Sequence, residues 1–275
     1  MARIEGDDGL LADDVGGWAK DKHACLTRYI DISSAARKKY LGTGPRKGGT
    51  AYFDLFCATG RSRIRNTNEW IDGSAVAAWK ASVADGAPFS HIYISDIDEA
   101  SLSACTERLR RLDAPVIPIH ARAVDAAQRM VAAVNGYGLY MALIDPYSLE
   151  ALDFRVIECL ARLKRIDLII HFSAMDLNRN LDINLAAEGS AFDTFAPGWR
   201  DHVNVAASQK CIRTNVVHYW REKITALGKW PSTDHLLIRG SGRQPLYWLL
   251  LAASHDLAHR FWQTAANPNQ QRSLF

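Results

Sequence analysis

Five short apolar runs, spaced by stretches of mixed polarity, set the order of elements along this chain. They fall at 51–56, 91–95, 116–119, 139–144 and 166–172, and each is nearly continuous in aliphatic and aromatic residues, as strands buried on both faces of a parallel sheet must be. Helical spacing fills the gaps. Gly73-Ser74 opens a helix through Ala84, 99–112 is helical, and another helix follows the third run and ends near Val134. Ahead of the first run, Trp18, Lys22, Cys25, Leu26, Tyr29 and Ile30 recur every three or four residues. They share one face of a helix predicted to reach about Tyr40 and to lie against the sheet. Towards the end, 215–227 is helical, and two apolar segments, 235–239 and 246–252, flank the turn Gly240-Ser241-Gly242-Arg243 as an antiparallel hairpin would. A last helix covers 255–265.

The remaining segments carry no such periodicity. Residues 1–16 are acidic and read as a flexible leader, 42–49 as a loop, and 267–275 as a polar tail. The polar stretch 61–73 is expected to be a long active-site loop. Residues 173–210, with Phe192, Phe195 and Trp199, read as an insertion over the site in which Trp199 covers a substrate. One α/β domain, 17–266, follows. Its order, five parallel strands alternating with helices and then a reversed hairpin, resembles the seven-stranded, mixed, Rossmann-like sheet of S-adenosylmethionine-dependent methyltransferases. A nicotinamide dehydrogenase would keep GxGxxG after the first strand, which is absent here.

Charge is nearly balanced, 33 basic against 30 acidic residues, and gives no general case for a polyanionic partner. The basic residues cluster, however: Arg37 to Lys39, Arg46 and Lys47, then Arg61, Arg63 and Arg65, and Arg108, Arg110 and Arg111. Such runs are commonly solvated helix faces, but Arg61 and Arg63 follow the first strand, where a ligand would sit. The five cysteines are scattered, without metal-like spacing, and fit buried thiols in a reducing cytoplasm. No apolar run is long enough to cross a membrane, and no basic-then-apolar leader is present, so a soluble cytoplasmic protein is expected.

The chemistry is expected at the strand tips. The first strand carries Asp54 and delivers Phe56-Cys57-Ala58-Thr59-Gly60, a small-residue turn whose backbone N–H groups can approach a cofactor closely. It also reads as an ordinary strand-to-turn junction. The second strand ends in Asp96-Ile97-Asp98. A carboxylate there can hold ribose hydroxyls, with Asp96 nearer the tip, while Asp98 reads equally as a helix cap. The fourth strand ends in Asp145-Pro146-Tyr147. A conjugated amine is a poor nucleophile, so Asp145 and the carbonyl exposed by Pro146 would accept its protons while Tyr147 stacks on its ring. The same tripeptide is also a common strand-to-loop turn. His120, at the third tip, reads as a base or as a satisfied hydrogen-bonding residue. Arg122 and Arg179 are candidates for holding a phosphate or carboxylate.

Trp18, Lys22 and Tyr29, then YFDLFCATGRSR, IDGSAVAAW, YISDID, LIDPYSLEALDF, DLIIHFSAMDLNRN and LYWLLLAASHDLAHRFW, together resemble the three-Cys-motif partner proteins over nearly the whole chain. The resemblance implies a methyltransferase-like fold, an S-adenosylmethionine pocket and a separate radical-SAM-like partner bearing the three cysteines. Family members usually have Phe-Ala-Gly-Pro-Gly where this chain has Phe56 to Gly60, and Gly-Asp-Ala-Asn where it has Ala121 to Val124. Two functions follow as expectations. One is an S-adenosylmethionine-dependent methyltransferase with a nucleic acid or nucleotide-like acceptor. The other is a non-catalytic module of the same fold that binds nucleic acid or a partner protein. A different group-transfer or hydrolytic enzyme on the scaffold is a third option, since fold does not fix chemistry.

Overall fold

The computed structural model describes residues 2–42, 47–240 and 242–267. Arg46 of the basic cluster, Ser241 of the hairpin turn and the polar tail from 268 onward lie outside the described residues. In chain order, β1 (Ala2–Glu5) and β2 (Leu11–Val15) precede α1 (Ala19–Ile32) and α2 (Ser34–Lys38). Then come β3 (Thr50–Asp54), β4 (Arg61–Ile64), β5 (Trp70–Asp72), α3 (Ser74–Ala84), β6 (His91–Asp96), α4 (Glu99–Arg110) and β7 (Val116–His120). They are followed by α5 (Ala123–Ala133), β8 (Leu139–Ile144), α6 (Phe154–Ala161) and β9 (Ile166–Phe172). Three short helices, α7 (Ala174–Arg179), α8 (Leu181–Ala186) and α9 (Ala191–Phe195), and a 3-10 turn at Trp199–Asp201 lead to α10 (Gln209–Ala226). The order ends with β10 (Trp230–Arg239), β11 (Pro245–Ala253) and α11 (Asp256–Ala266).

The main sheet has seven strands in the order β10-β11-β9-β8-β3-β6-β7. The five apolar runs pair in parallel, and β11 is antiparallel to both its neighbours, so the reversed hairpin closes one side as expected. The chain starts the sheet in the middle, builds outward through β6 and β7, then returns to β8 on the other side of β3. That reversal opens a crevice at the carboxyl ends of β3 and its neighbours.

Alternate residues of each strand feed opposite layers. On β3, Phe53 packs with the layer under α5, α6 and α10, whereas Tyr52 packs with α1, α3 and α11. On β8 the same alternation sends Ala142 and Ile144 one way and Met141 and Leu143 the other.

Four expectations are corrected. The first sixteen residues are not a flexible leader: β1 and β2 form an antiparallel hairpin, and β2 pairs in parallel with β4. The polar stretch 61–73 is likewise not an open loop, because β4 and β5 complete this second sheet, β1-β2-β4-β5. Charge complementarity holds the two together. Arg61 bonds Asp7 and Asp72, and Arg63 and Arg65 both bond Asp14. The third correction concerns the first helix, which breaks at Ser33 rather than running to Tyr40. There the Arg37 guanidinium folds back onto the Ser33 hydroxyl at 2.7 Å and the Ile30 carbonyl. Fourth, 173–210 is helical and packs beneath the sheet. Phe192, Phe195 and Trp199 are fully buried, with Phe195 stacked on Trp220 at 4.9 Å. Trp199 is therefore core, and its indole N–H bonds Asp193 rather than covering a ligand. No helix among the described residues is long and apolar enough to cross a membrane.

Candidate active site

The crevice is a cavity of about 550 Å³, within the range of small-molecule sites. Its floor is the turn after β3. Phe56, Cys57, Ala58 and Gly60 line it, whereas Thr59 is turned away and anchored to Asp13 through its hydroxyl at 2.8 Å. Ala58 and Gly60 both have left-handed backbone, φ +50° and +79°. A side chain at Gly60 would meet the Cys105 sulfur at 2.9 Å, and one at Gly73 would meet Gly60 Cα at 2.7 Å. The glycine pair thus lets α3 begin directly against the turn, with Gly73 N–H donating to Gly60 C=O at 2.8 Å.

Asp54 lies beneath this floor, fully buried, and does not line the cavity. It accepts the Ser74 hydroxyl at 2.6 Å, and burial pushes its carboxyl up to about 6 despite that bond. Asp96 does line the cavity. One of its oxygens accepts Ala58 N–H at 3.0 Å and the other Asp98 N–H at 2.9 Å, so the carboxylate fixes the turn and keeps a lone pair on each oxygen for a ligand. Ile97, beside it, is 61% exposed at the mouth. Asp98 is the cap of α4, accepting Ser101 N–H at 2.7 Å. His120 holds the Ile97 carbonyl at 2.9 Å and stands at the rim, outside the lining.

The opposite wall begins at Asp145. Its side chain is only 14% exposed and meets two partners: the Lys22 ammonium from α1, and His171 Nδ1 from β9 at 2.8 Å. The His171 approach is off the axis of its ring N–H, so it is a close polar contact rather than a linear hydrogen bond. Burial alone would raise the Asp145 carboxyl, but Lys22 and His171 outweigh it and hold the group well below the usual carboxylate range. Pro146 is buried and does not line the cavity, whereas Tyr147 stands at the rim, 81% exposed.

Of the expected arginines, only Arg122 lines the cavity. It sits at the start of α5, and Asp125 in the next turn also lines it. Arg61 and Arg63 are outside, consumed by the acidic hairpin. Arg179 is exposed on α7 and does not line the cavity. Among the lining side chains, carboxylates outnumber cations six to three, and two of the cations are already paired, Lys22 with Asp145 and Arg155 with Asp153. The site is therefore acidic, the reverse of the basic loop predicted from composition.

Three contributors are not legible in the sequence. Asp13 and Val15 reach the cavity from a segment read as flexible, and His23 reaches it from α1. The His23 imidazole is kept neutral, pushed down to about 3 by burial and the neighbouring Lys22 charge, and its Nδ1 finds no partner among the described residues. Only the helical spacing of Trp18 and Lys22, extended by one residue, hints at it.

One solved structure shares this architecture over nearly its whole length. Protein LPL1258 of Legionella pneumophila, a DUF519 protein, superposes over 92% of this chain and 94% of its own, with a TM-score of 0.53 at 10% identity. A candidate RNA methyltransferase of Pyrococcus horikoshii covers 83% and 82% at a TM-score of 0.44 and 8% identity. The N-methyltransferase NodS of Bradyrhizobium japonicum, in complex with S-adenosylhomocysteine, covers 87% and 89% at 0.43 and 9%. No protein-family model and no curated protein sequence matches the chain. With the strand order already given, the conclusion concerns architecture. The fold is that of the Rossmann-like methyltransferases.

Proposed function

We propose that this methyltransferase-fold chain binds S-adenosylmethionine in the cavity and transfers its methyl group to an acceptor entering beside Tyr147. The observation that carries the reading is Asp96: a carboxylate at the tip of the second strand, facing a cavity whose floor is the backbone of 57–60. The residues present fit such a cofactor. The free lone pairs of Asp96 suit ribose hydroxyls, Ile97 offers an apolar face for a planar base, and the acidic lining favours a ligand with positive charge. Bound, the cofactor supplies an electrophilic sulfonium methyl.

The rest is positioning. Asp145, held anionic, is a hydrogen-bond acceptor for the acceptor's N–H or O–H and not a strong base. Lys22 fixes its orientation from α1, so the helix and the strand tip are set together. Ala58 keeps the left-handed backbone that a glycine would adopt at that point, so the altered turn still forms a close-approach floor. This favours the cofactor-binding reading over a non-catalytic module. The nucleic-acid acceptor loses its main support, because Arg61, Arg63 and Arg65 are paired to carboxylates. Membership of the three-Cys-motif partner proteins, with a radical-SAM-like partner, remains a proposal resting on the motifs alone, and copurification of the two proteins tests it.

Isothermal titration of S-adenosylhomocysteine tests the cofactor. Binding in the micromolar range is expected, weakened about a hundredfold by Asp96→Ala, which removes two charge-assisted ribose bonds. No heat at millimolar ligand would overturn the reading.

A further inference from the structure

The acidic cavity takes up one edge of the main sheet, and the charge at the other edge has the opposite sign. There β3, β8, β9 and β10 begin and β11 ends, and the segments 38–42, 47–50, 134–139, 161–166 and 228–233 meet. None of these segments contains an aspartate or a glutamate. Lys39, Lys47, Arg162 and Lys164 are exposed on them, and Arg165 is half-buried. None of the five forms an ion pair among the described residues. Carboxylates stand at the margins: Asp85 beside Arg37, Asp256 at the start of α11, and Asp167 inside β9, where it accepts the Tyr29 hydroxyl at 2.8 Å.

The segments are tied into one surface. Gly49 N–H donates to Tyr40 C=O at 3.1 Å, and the Asn135 amide donates to Gly48 C=O at 3.0 Å while its oxygen accepts Tyr137 N–H at 2.8 Å. The Arg165 guanidinium lies over the Tyr40 ring, 5.9 Å from its centre. Lys229, 2% exposed, donates to the Lys164 carbonyl at 2.8 Å. In sheet order the surface runs from β3 through β8, β9 and β11 to β10, a track of about 20 Å at the usual strand spacing. Tyr137, set between two glycines, is 68% exposed along it, and Trp230 is exposed at its end. Cations that follow a helix, as Arg162 and Lys164 follow α6, complement the helix dipole. That does not account for Lys47, which precedes β3, or for an exposed ring among the charges.

We infer that this edge is a docking surface for single-stranded nucleic acid, with Lys39, Lys47, Arg162, Lys164 and Arg165 on its phosphates and Tyr137 stacked on an unpaired base. Phosphates ask for unpaired cations, and a base asks for a free aromatic face; both are present here and neither is present at the cavity floor. A membrane surface would ask for aliphatic side chains beside the cations, and these segments expose no large one. The cavity lies the length of β8 away, six residues or about 20 Å, so this surface is separate from the acceptor entrance beside Tyr147. It stands whether or not the cavity takes S-adenosylmethionine.

The probe is a fluorescein-labelled oligothymidylate of about twenty nucleotides, titrated with the full chain and read by fluorescence anisotropy. Micromolar affinity is expected at about 50 mM salt, falling about a hundredfold by about 200 mM, because about five phosphates give up their counterions. The Arg162→Gln, Lys164→Gln double variant should lower the slope of log affinity against log salt by about 1.4. Tyr137→Ala should bind the oligonucleotide about tenfold more weakly at every salt concentration with the slope unchanged, and should bind a duplex of the same length as the wild type does, since paired bases offer the ring no face. All three side chains are exposed, so the melting midpoint should not move. Cations that only complement helix ends would give no anisotropy change with the oligonucleotide. No change at about 50 mM salt, wild-type affinity in either variant, or binding to phosphatidylserine vesicles without binding to the oligonucleotide overturns the inference.

Discussion

At the scale of single residues, the site is governed by one buried ion pair and two carboxyl or imidazole groups displaced in opposite directions. Lys22 and Asp145 are 11% and 14% exposed, so removing either partner strands a charge. Asp145→Asn is expected to cost about 3 kcal/mol in urea denaturation, and the Lys22→Met, Asp145→Leu double variant to recover most of that loss; strictly additive costs would contradict the pairing. The pH dependence separates the other two groups. Unfolded His23 takes a proton near 6.5 but the folded residue only near about 3. Between those values the unfolded chain binds more protons, so this group lowers stability as pH falls. Asp54 acts with the opposite sign. Its folded carboxyl protonates at about 6 and its unfolded one at 3.8, so it adds stability as pH falls through that window. His23→Phe removes only the first contribution. The variant should therefore gain steadily on the wild type as pH is lowered from about 7 to about 4, and parallel stability curves would refute the buried neutral imidazole.

At the scale of elements, the decisive join is between the N-terminal hairpin, α4 and the turn after β3. Arg108, 5% exposed on α4, donates to both oxygens of Asp8 at 2.7 Å and to the carbonyls of Leu11 at 2.7 Å and Thr59 at 2.6 Å. Composition reads it as one of three arginines on a solvated face, whereas the fold uses it to hold three segments distant in sequence. Arg108→Met is expected to cost about 3 kcal/mol, with faster hydrogen exchange in β2 and the 57–60 turn and unchanged exchange in β8 and β9. Elements whose apolar period is strong were legible beforehand: β8, β9 and α3 have the predicted bounds. Elements stabilised by partners were not. β4 is four residues of alternating arginine and small or apolar side chains, and nothing in RSRI announces that Asp13 to Val15 will pair with it. Likewise α7 to α9 are short and polar on one side, and they are held by burial of Leu177, Leu181 and Phe192 in the core and of Phe195 against Phe172 and Trp220.

At the scale of the molecule, the cavity is a meeting place of the sheet's carboxyl edge, the start of α1 and the second sheet, so a ligand there should stabilise all three together. S-adenosylhomocysteine at a hundred times its Kd is expected to add about 2.7 kcal/mol and to raise the melting midpoint by roughly 5 °C; an unchanged midpoint at that concentration would place the ligand elsewhere. The succession of strands along the chain and the residues Asp96 and Asp145 at their ends follow from the chain itself, because apolar runs of strand length must be buried, whereas the sheet order and its switch point were expected only from the resemblance to methyltransferases. The sign of the charge in the crevice does not follow from the chain itself. Arg61 and Arg63 are neutralised by carboxylates about fifty residues earlier in the chain, and His23 enters from a helix whose predicted buried face does not include it. Hydrophobic periodicity is a local property, and each residue carries it alone. Electrostatic pairing and the lining of a cavity depend on which distant segments are brought together, and only the folded chain decides that.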